Sequence, residues 1–138
     1  MLIGKSNIKA LFFYYNETYF GGVLPLPEAK ITHSYNVLGQ FVCYITNDNE
    51  HYDEVLSVSD TYDYTEDQLR DIIVHEMIHY YLVHVKMDLK CSHGKAFKDM
   101  AEGFNIRYGM NITSRADLSQ YKLIEGKSKI LKSIYSWF

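Results

Sequence analysis

Three histidines and one glutamate in this chain have the types and the spacing of a metal site that activates water. His75, Glu76 and His79 stand in a His-Glu-x-x-His pattern, and His93 follows in Ser-His-Gly. Side chains four residues apart on a helix lie about 40° from each other and can share one ion. Two imidazoles and a third protein ligand leave one position of zinc for water, which is the catalytic arrangement. Zinc lowers the pKa of that water to about 7, and Glu76 is placed to take the proton.

The residues around the motif predict the helix that it needs. Thr65 and Gln68 have the spacing of a capping box, so a helix is expected from about Glu66 to Val85. Apolar residues then recur at helical spacing: Leu69, Ile72, Ile73, Met77 and Tyr80. The alternative is a buried helix that carries two histidines by chance. A third histidine where a second helix should begin argues against it.

The sequence identifies the third metal ligand less directly than the first two. His93 is the favoured candidate, but Asp99 or Glu102 could instead supply a carboxylate, as in His-His-Glu zinc enzymes. His84 lies about 140° round the helix from His79, so we expect it to face solvent.

The residues after His93 predict a second helix over about Lys95–Tyr108. Its apolar row is Phe97, Met100, Ala101 and Phe104. Asp99 on this helix is a candidate to orient a ligand imidazole through the second ring nitrogen. The alternative for Asp99 is a surface carboxylate beside Lys95 and Lys98.

These motifs together resemble the SprT-like family of zinc metallopeptidase domains, which includes the Spartan proteases. The similarity runs from about Leu11 to Ile112. It rests on Asn16–Pro25, with its Phe-Gly-Gly turn, on the metal motif of His75–His79 with His93-Gly94-x-x-Phe97, and on Asn105–Ile112.

The resemblance implies zinc ligands at His75, His79 and His93, with Glu76 as the general base. It implies hydrolysis of peptide bonds in a protein or peptide substrate, in some members a protein crosslinked to DNA. It also implies an α+β fold.

Many members of that family carry a zinc ribbon with four cysteines after the catalytic domain. This chain has only Cys43 and Cys91, and neither belongs to a Cys-x-x-Cys pair. The missing ribbon weakens the case for DNA-directed activity more than the case for zinc chemistry. Two alternatives stay open: a zinc-bearing binding module that recruits a protein or nucleic acid, and a zinc hydrolase acting on a small amide.

Strand and helix patterns predict one α+β domain over residues 1–114, followed by a tail over residues 115–138. A first helix is expected over about Asn7–Phe20 and ends at a Gly-Gly pair. A small, mainly antiparallel sheet should pack against the active helix, with its strands at Ala29–His33, Val37–Thr46 and Val55–Ser59. Gly39–Tyr44 is a candidate sheet edge for binding a substrate as an added strand. The tail is expected to be a docked helix with an apolar face of Ile130, Leu131, Ile134, Tyr135 and Phe138.

The charge and hydropathy of the chain limit the classes of partner that we expect it to bind. Residues 47–76 hold ten acidic residues and one basic residue, and the whole chain carries −3, so composition does not support a general nucleic-acid surface. Four lysines near the third histidine could contact phosphate or substrate, although a solvated surface is the favoured alternative: Lys86, Lys90, Lys95 and Lys98. We expect no membrane segment and no signal peptide, hence a cytoplasmic protein with free thiols.

Overall fold

The computed structural model describes residues 3–45, 52–86, 88, 92–124 and 135–137. Its helices are α1 (Lys5–Tyr19), α2 (Glu66–His84) and α3 (Lys95–Tyr108), with a short 3-10 turn at Leu118–Gln120. Its strands are β1 (Glu28–Thr32), β2 (Gly39–Ile45), β3 (Tyr52–Ser59), β4 (Tyr62–Asp63), β5 (Arg115–Asp117), β6 (Lys122–Leu123) and β7 (Tyr135–Trp137). The predicted α+β class is confirmed.

The main sheet has the order β1-β3-β2, so β2 forms one of its edges. β2 runs antiparallel to β3, with Phe41 opposite Leu56, whereas β1 runs parallel to β3. The sheet is therefore mixed, while the two small ladders, β4 with β6 and β5 with β7, are antiparallel. The edge position predicted for Gly39–Tyr44 is the one observed.

Helix α2 starts where the sequence predicts. The Thr65 hydroxyl accepts a hydrogen bond from the Gln68 backbone N–H at 3.1 Å, and the Gln68 side chain accepts one from the Thr65 N–H at 3.0 Å. This reciprocal cap satisfies two backbone donors at the first turn. The helix ends at His84, one residue earlier than predicted, and Val85 is its C-cap.

Helix α2 is the centre of the molecule. It packs against β2 and β3 of the sheet and against both other helices. Twelve of its residues are buried, and they include the polar His75, Glu76 and His79. Because charged and polar groups are rarely buried without a partner, these three side chains need partners inside the protein.

Two asparagines fold the chain back after a helix. The side-chain amide of Asn16 donates to the Leu24 carbonyl at 2.7 Å and accepts from the Leu24 N–H at 3.2 Å. Asn105 makes the same pair with Ile112, at 2.9 and 2.7 Å. Between Asn105 and Ile112 the chain turns at Gly109, whose φ of 65° favours glycine.

The end of the tail differs from the prediction. Residues Tyr135–Trp137 form a strand paired with β5, not part of a helix. Aromatic residues such as Tyr135 and Trp137 are common in strands, and this preference agrees with the observed pairing. The other residues of the predicted tail helix lie outside the described ranges. No helix in the described part of the chain is long and apolar enough to cross a bilayer.

Candidate metal centre

Helix α2 and the residues before α3 bring three imidazoles together. His75 and His79 lie one turn apart on α2 and are buried, and His93 approaches them from just before the N-cap of α3. The Nε2 atom of His93 is 3.2 Å from Nε2 of His75 and 3.1 Å from Nε2 of His79. All three ligand atoms lie within 4.8 Å of one another.

This arrangement fits a metal ion. Zn–N bonds of about 2.0–2.1 Å in tetrahedral geometry separate ligand nitrogens by about 3.3 Å, close to the two short distances in this protein. A single Nε2 atom of His93 cannot supply a hydrogen to both neighbours, so hydrogen bonding alone does not account for the cluster. The three histidines together could hold a metal ion.

The pKa of His79 favours the form of the imidazole that binds a metal. The pKa is lowered to about 4, chiefly by burial and in addition by the nearby His93, while Asp88 acts in the opposite direction. The imidazole is therefore neutral at physiological pH, and a neutral imidazole is the form that binds a metal.

Glu76 is buried beside the imidazoles. Only 1% of it is exposed, and its Oε2 atom lies 3.8 Å from Nε2 of His75. Within the described residues Oε2 has no hydrogen-bond partner. Burial raises the pKa of this carboxyl to about 8, and a hydrogen bond from the Phe41 backbone N–H acts in the opposite direction. A carboxyl with such a pKa can exchange a proton near neutral pH.

The strand β2 lies directly over this carboxyl. A Cβ atom on Gly39 would stand 2.8 Å from Cγ2 of Ile72 and 3.3 Å from Oε2 of Glu76. Glycine at this position therefore lets β2 approach α2 closely enough for the Phe41 N–H to reach the carboxylate. Sequence reasoning missed this contact, although a glycine inside a strand pattern is a signal for close approach.

Comparison with protein families identifies a match over most of the chain. The model of the SprT-like family matches residues 8–116. The chain belongs to the SprT-like family. Searches of the curated proteins and of the solved structures found no match.

The structure places the other predicted residues of this SprT-like chain away from the imidazoles. Asp99 is 60% exposed on α3, and its carboxylate accepts a hydrogen bond from the Lys95 ammonium at 2.6 Å. It is thus paired with a surface lysine, the alternative given above, and not with a ligand imidazole. Glu102 and His84 are exposed, so His93 is the third member of the cluster.

The lysines predicted near the site are on the surface. Lys86, Lys95 and Lys98 are exposed, and Lys90 lies outside the described residues. The pairing of Lys95 with Asp99 neutralises one of these charges. Cys91 is also outside the described residues, and Cys43 is half-buried in β2.

Proposed function

We propose that this protein is a zinc-dependent endopeptidase in which Glu76 is the general base. The observation that carries the proposal is the pairing of two features in one buried place. Three imidazole nitrogens converge there, and an uncommitted carboxylate oxygen of Glu76 lies 3.8 Å from one of them. A site that only stabilises the fold does not need that carboxylate.

His75, His79 and His93 would hold the ion, and each would present its Nε2 atom. Zinc bound in this position would polarise a carbonyl and acidify a bound water. Glu76 would accept a proton from the attacking water and later donate it to the leaving amine. Its burial raises the pKa of this carboxyl, which makes Glu76 a stronger base towards the water proton.

The outer edge of β2 is the surface on which we place the peptide substrate. The Ser59 N–H donates to the Leu38 carbonyl at 2.8 Å, so the backbone groups of Leu38 face β3. Antiparallel strands alternate, and the groups of Gly39, Phe41 and Cys43 then face away from β3. An extended peptide added there would run beside Glu76, because Phe41 donates to this carboxyl.

A Glu76→Gln variant tests the mechanism. The amide keeps the size of the side chain and leaves the three imidazoles intact, but it cannot take up a proton. We expect the variant to bind about one zinc per chain and to lose cleavage of an unfolded protein such as casein by a factor of about 10² or more. Elemental mass spectrometry and a fluorescence cleavage assay measure the two quantities on the same preparation.

Two results would contradict the proposal. Wild-type cleavage by the Glu76→Gln variant would exclude Glu76 as the base. A wild-type protein that binds zinc, but cleaves neither casein nor DNA-bound proteins with or without DNA, would be a binding module. Cleavage only in the presence of DNA would restrict the substrate class to DNA-associated proteins.

A further inference from the structure

Phe97 lies in contact with all three histidine rings. It is in the first turn of α3, four residues after His93, and is 1% exposed. Its ring stacks on His79 with a centroid distance of 4.6 Å and an interplanar angle of 20°. The distances to the rings of His75 and His93 are 4.7 and 4.9 Å, at angles of 54° and 72°.

Metal-binding imidazoles are usually oriented by a hydrogen bond from their second nitrogen to a carboxylate or carbonyl. His79 departs from this rule within the described residues, where its buried Nδ1 atom has no hydrogen-bond partner. The candidate carboxylate, Asp99, is bound to Lys95 on the surface. The Phe97 ring, which is stacked on His79 and parallel to it within 20°, is a contact that can fix the plane of this imidazole.

We propose that Phe97 is a positioning residue for the metal ligands. Its flat ring stops rotation of the His79 imidazole about the Cβ–Cγ bond, because a rotated ring would collide with a rigid, buried aromatic neighbour. Its contacts with His75 and His93 set the angle between the two ligands on α2, which are His75 and His79, and His93. This inference rests on the metal-binding part of the proposed function and not on peptide cleavage.

The test compares Phe97→Leu with Phe104→Leu. Both residues are buried on α3, but Phe104 packs against Phe20, Tyr19 and Tyr108 instead of the histidines. Zinc affinity is measured by competition with a chromophoric chelator, and the Co²⁺-substituted proteins are compared by their visible absorption. Thermal unfolding of the metal-free variants shows how far each substitution affects the fold itself.

We expect Phe97→Leu to weaken zinc binding by about 10- to 100-fold, the range found when an outer contact of a metal ligand is lost. The Co²⁺ absorption should shift or weaken as well, while Phe104→Leu keeps both properties of the wild type. If Phe97→Leu does not fold, Phe97→Met retains the apolar volume without a flat ring and replaces it in the comparison.

Three outcomes would overturn the inference: wild-type affinity in the Phe97 variant, equal losses in both variants, or an unchanged Co²⁺ spectrum. These three outcomes can be distinguished from a failure of the proposed function. A wild-type protein that binds no zinc refutes the metal site itself, whereas zinc binding without cleavage refutes only the peptidase.

Discussion

Glu76 is a carboxyl whose protonation depends strongly on its surroundings. Burial raises its pKa to about 8, and the Phe41 N–H only partly opposes this effect. His79 shifts in the other direction, to about 4, also because of burial. In the metal-free protein near pH 7 the base is thus largely protonated and the ligand is neutral. A bound cation would favour the carboxylate, so metal binding should release a proton.

The shift of Glu76 predicts a pH dependence of stability in the metal-free protein. Its folded pKa of about 8 exceeds the ordinary value of 4.5. The stability that it contributes is fully present below about pH 4.5 and is lost as the pH rises through about 8. We expect the free energy of unfolding of the wild type to fall relative to that of Glu76→Gln over this range.

Urea unfolding of both chelator-treated proteins at several pH values measures the difference. The depressed pKa of His79 gives a loss of stability as the pH falls below 6.5, but this contribution is common to both proteins and cancels. A difference that is independent of pH would show that Glu76 does not titrate in this way.

Gly39 is the residue on which the contact between β2 and α2 depends. In Gly39→Ala, the new methyl would lie 2.8 Å from Ile72 and 3.3 Å from Glu76, so the strand or the helix must shift. We expect a loss of about 1–3 kcal/mol in the free energy of unfolding, the range for overpacking, and a lower kcat. Denaturant unfolding and the cleavage assay test both effects.

The matched control is Gly103→Ala in α3. A Cβ atom there meets nothing within 4 Å, and alanine is the better helix former. This variant should gain about 0.5–1 kcal/mol and keep its activity. Equal changes in the free energy of unfolding and in activity for the two substitutions would mean that β2 and α2 accommodate a methyl group at position 39 without destabilisation.

At the level of elements, the ends of α1 and α3 are each tied to the segment that follows by one asparagine. Asn16 holds Leu24 after α1, and Asn105 holds Ile112 after α3. Each side-chain amide hydrogen-bonds to the backbone N–H and C=O of one residue, as a neighbouring strand does in a sheet. The second tie fixes where the chain leaves α3, whose first turn carries Phe97.

Removing one of these ties should destabilise the fold without changing the metal site. Asn16→Ala or Asn105→Ala deletes two hydrogen bonds and leaves the backbone groups of a buried residue unpaired, which costs about 2–3 kcal/mol. The exposed Asn111 is the control, and Asn111→Ala should change stability by less than about 0.5 kcal/mol. Thermal and urea unfolding give the values; similar results for Asn111 and Asn105 would refute the prediction.

The sequence predicted α2 and α3 to within one residue because caps and helical periodicity are local signals. Strands β4 to β7 were missed, since two or three residues are too few to show alternation. The parallel pairing of β1 was missed as well, because it depends on which strand lies between β1 and β2. At the site, the histidines follow from spacing, but the contacts of Gly39 and Phe97 depend on packing between distant elements.

In the whole molecule, the three histidines bring α2 together with the residue that precedes α3. Along the chain, residues 85–94 connect these two helices. His79 is on α2, and His93 precedes α3, so a metal ion held by both closes a loop in the chain. Binding only to the folded state stabilises it, by about 4 kcal/mol when the free metal is 1,000 times the dissociation constant.

We therefore expect a chelator to lower the melting temperature of the wild-type protein and to leave that of His93→Ala almost unchanged. Differential scanning calorimetry with and without added zinc measures both. If the chelator lowers the melting temperature of both proteins by the same amount, the metal does not connect the two helices through His93.

The outer edge of β2 also bears on self-association of the protein. In the part of the chain that the structure describes, no other strand pairs with this edge, and a row of open backbone groups is a template for aggregation. Phe41 interrupts the row, because its N–H is taken by Glu76 and its side chain is stacked on Tyr80. The carboxylate that would take a proton during hydrolysis thus removes one backbone donor from this edge, which leaves fewer groups for a second copy of the chain to pair with.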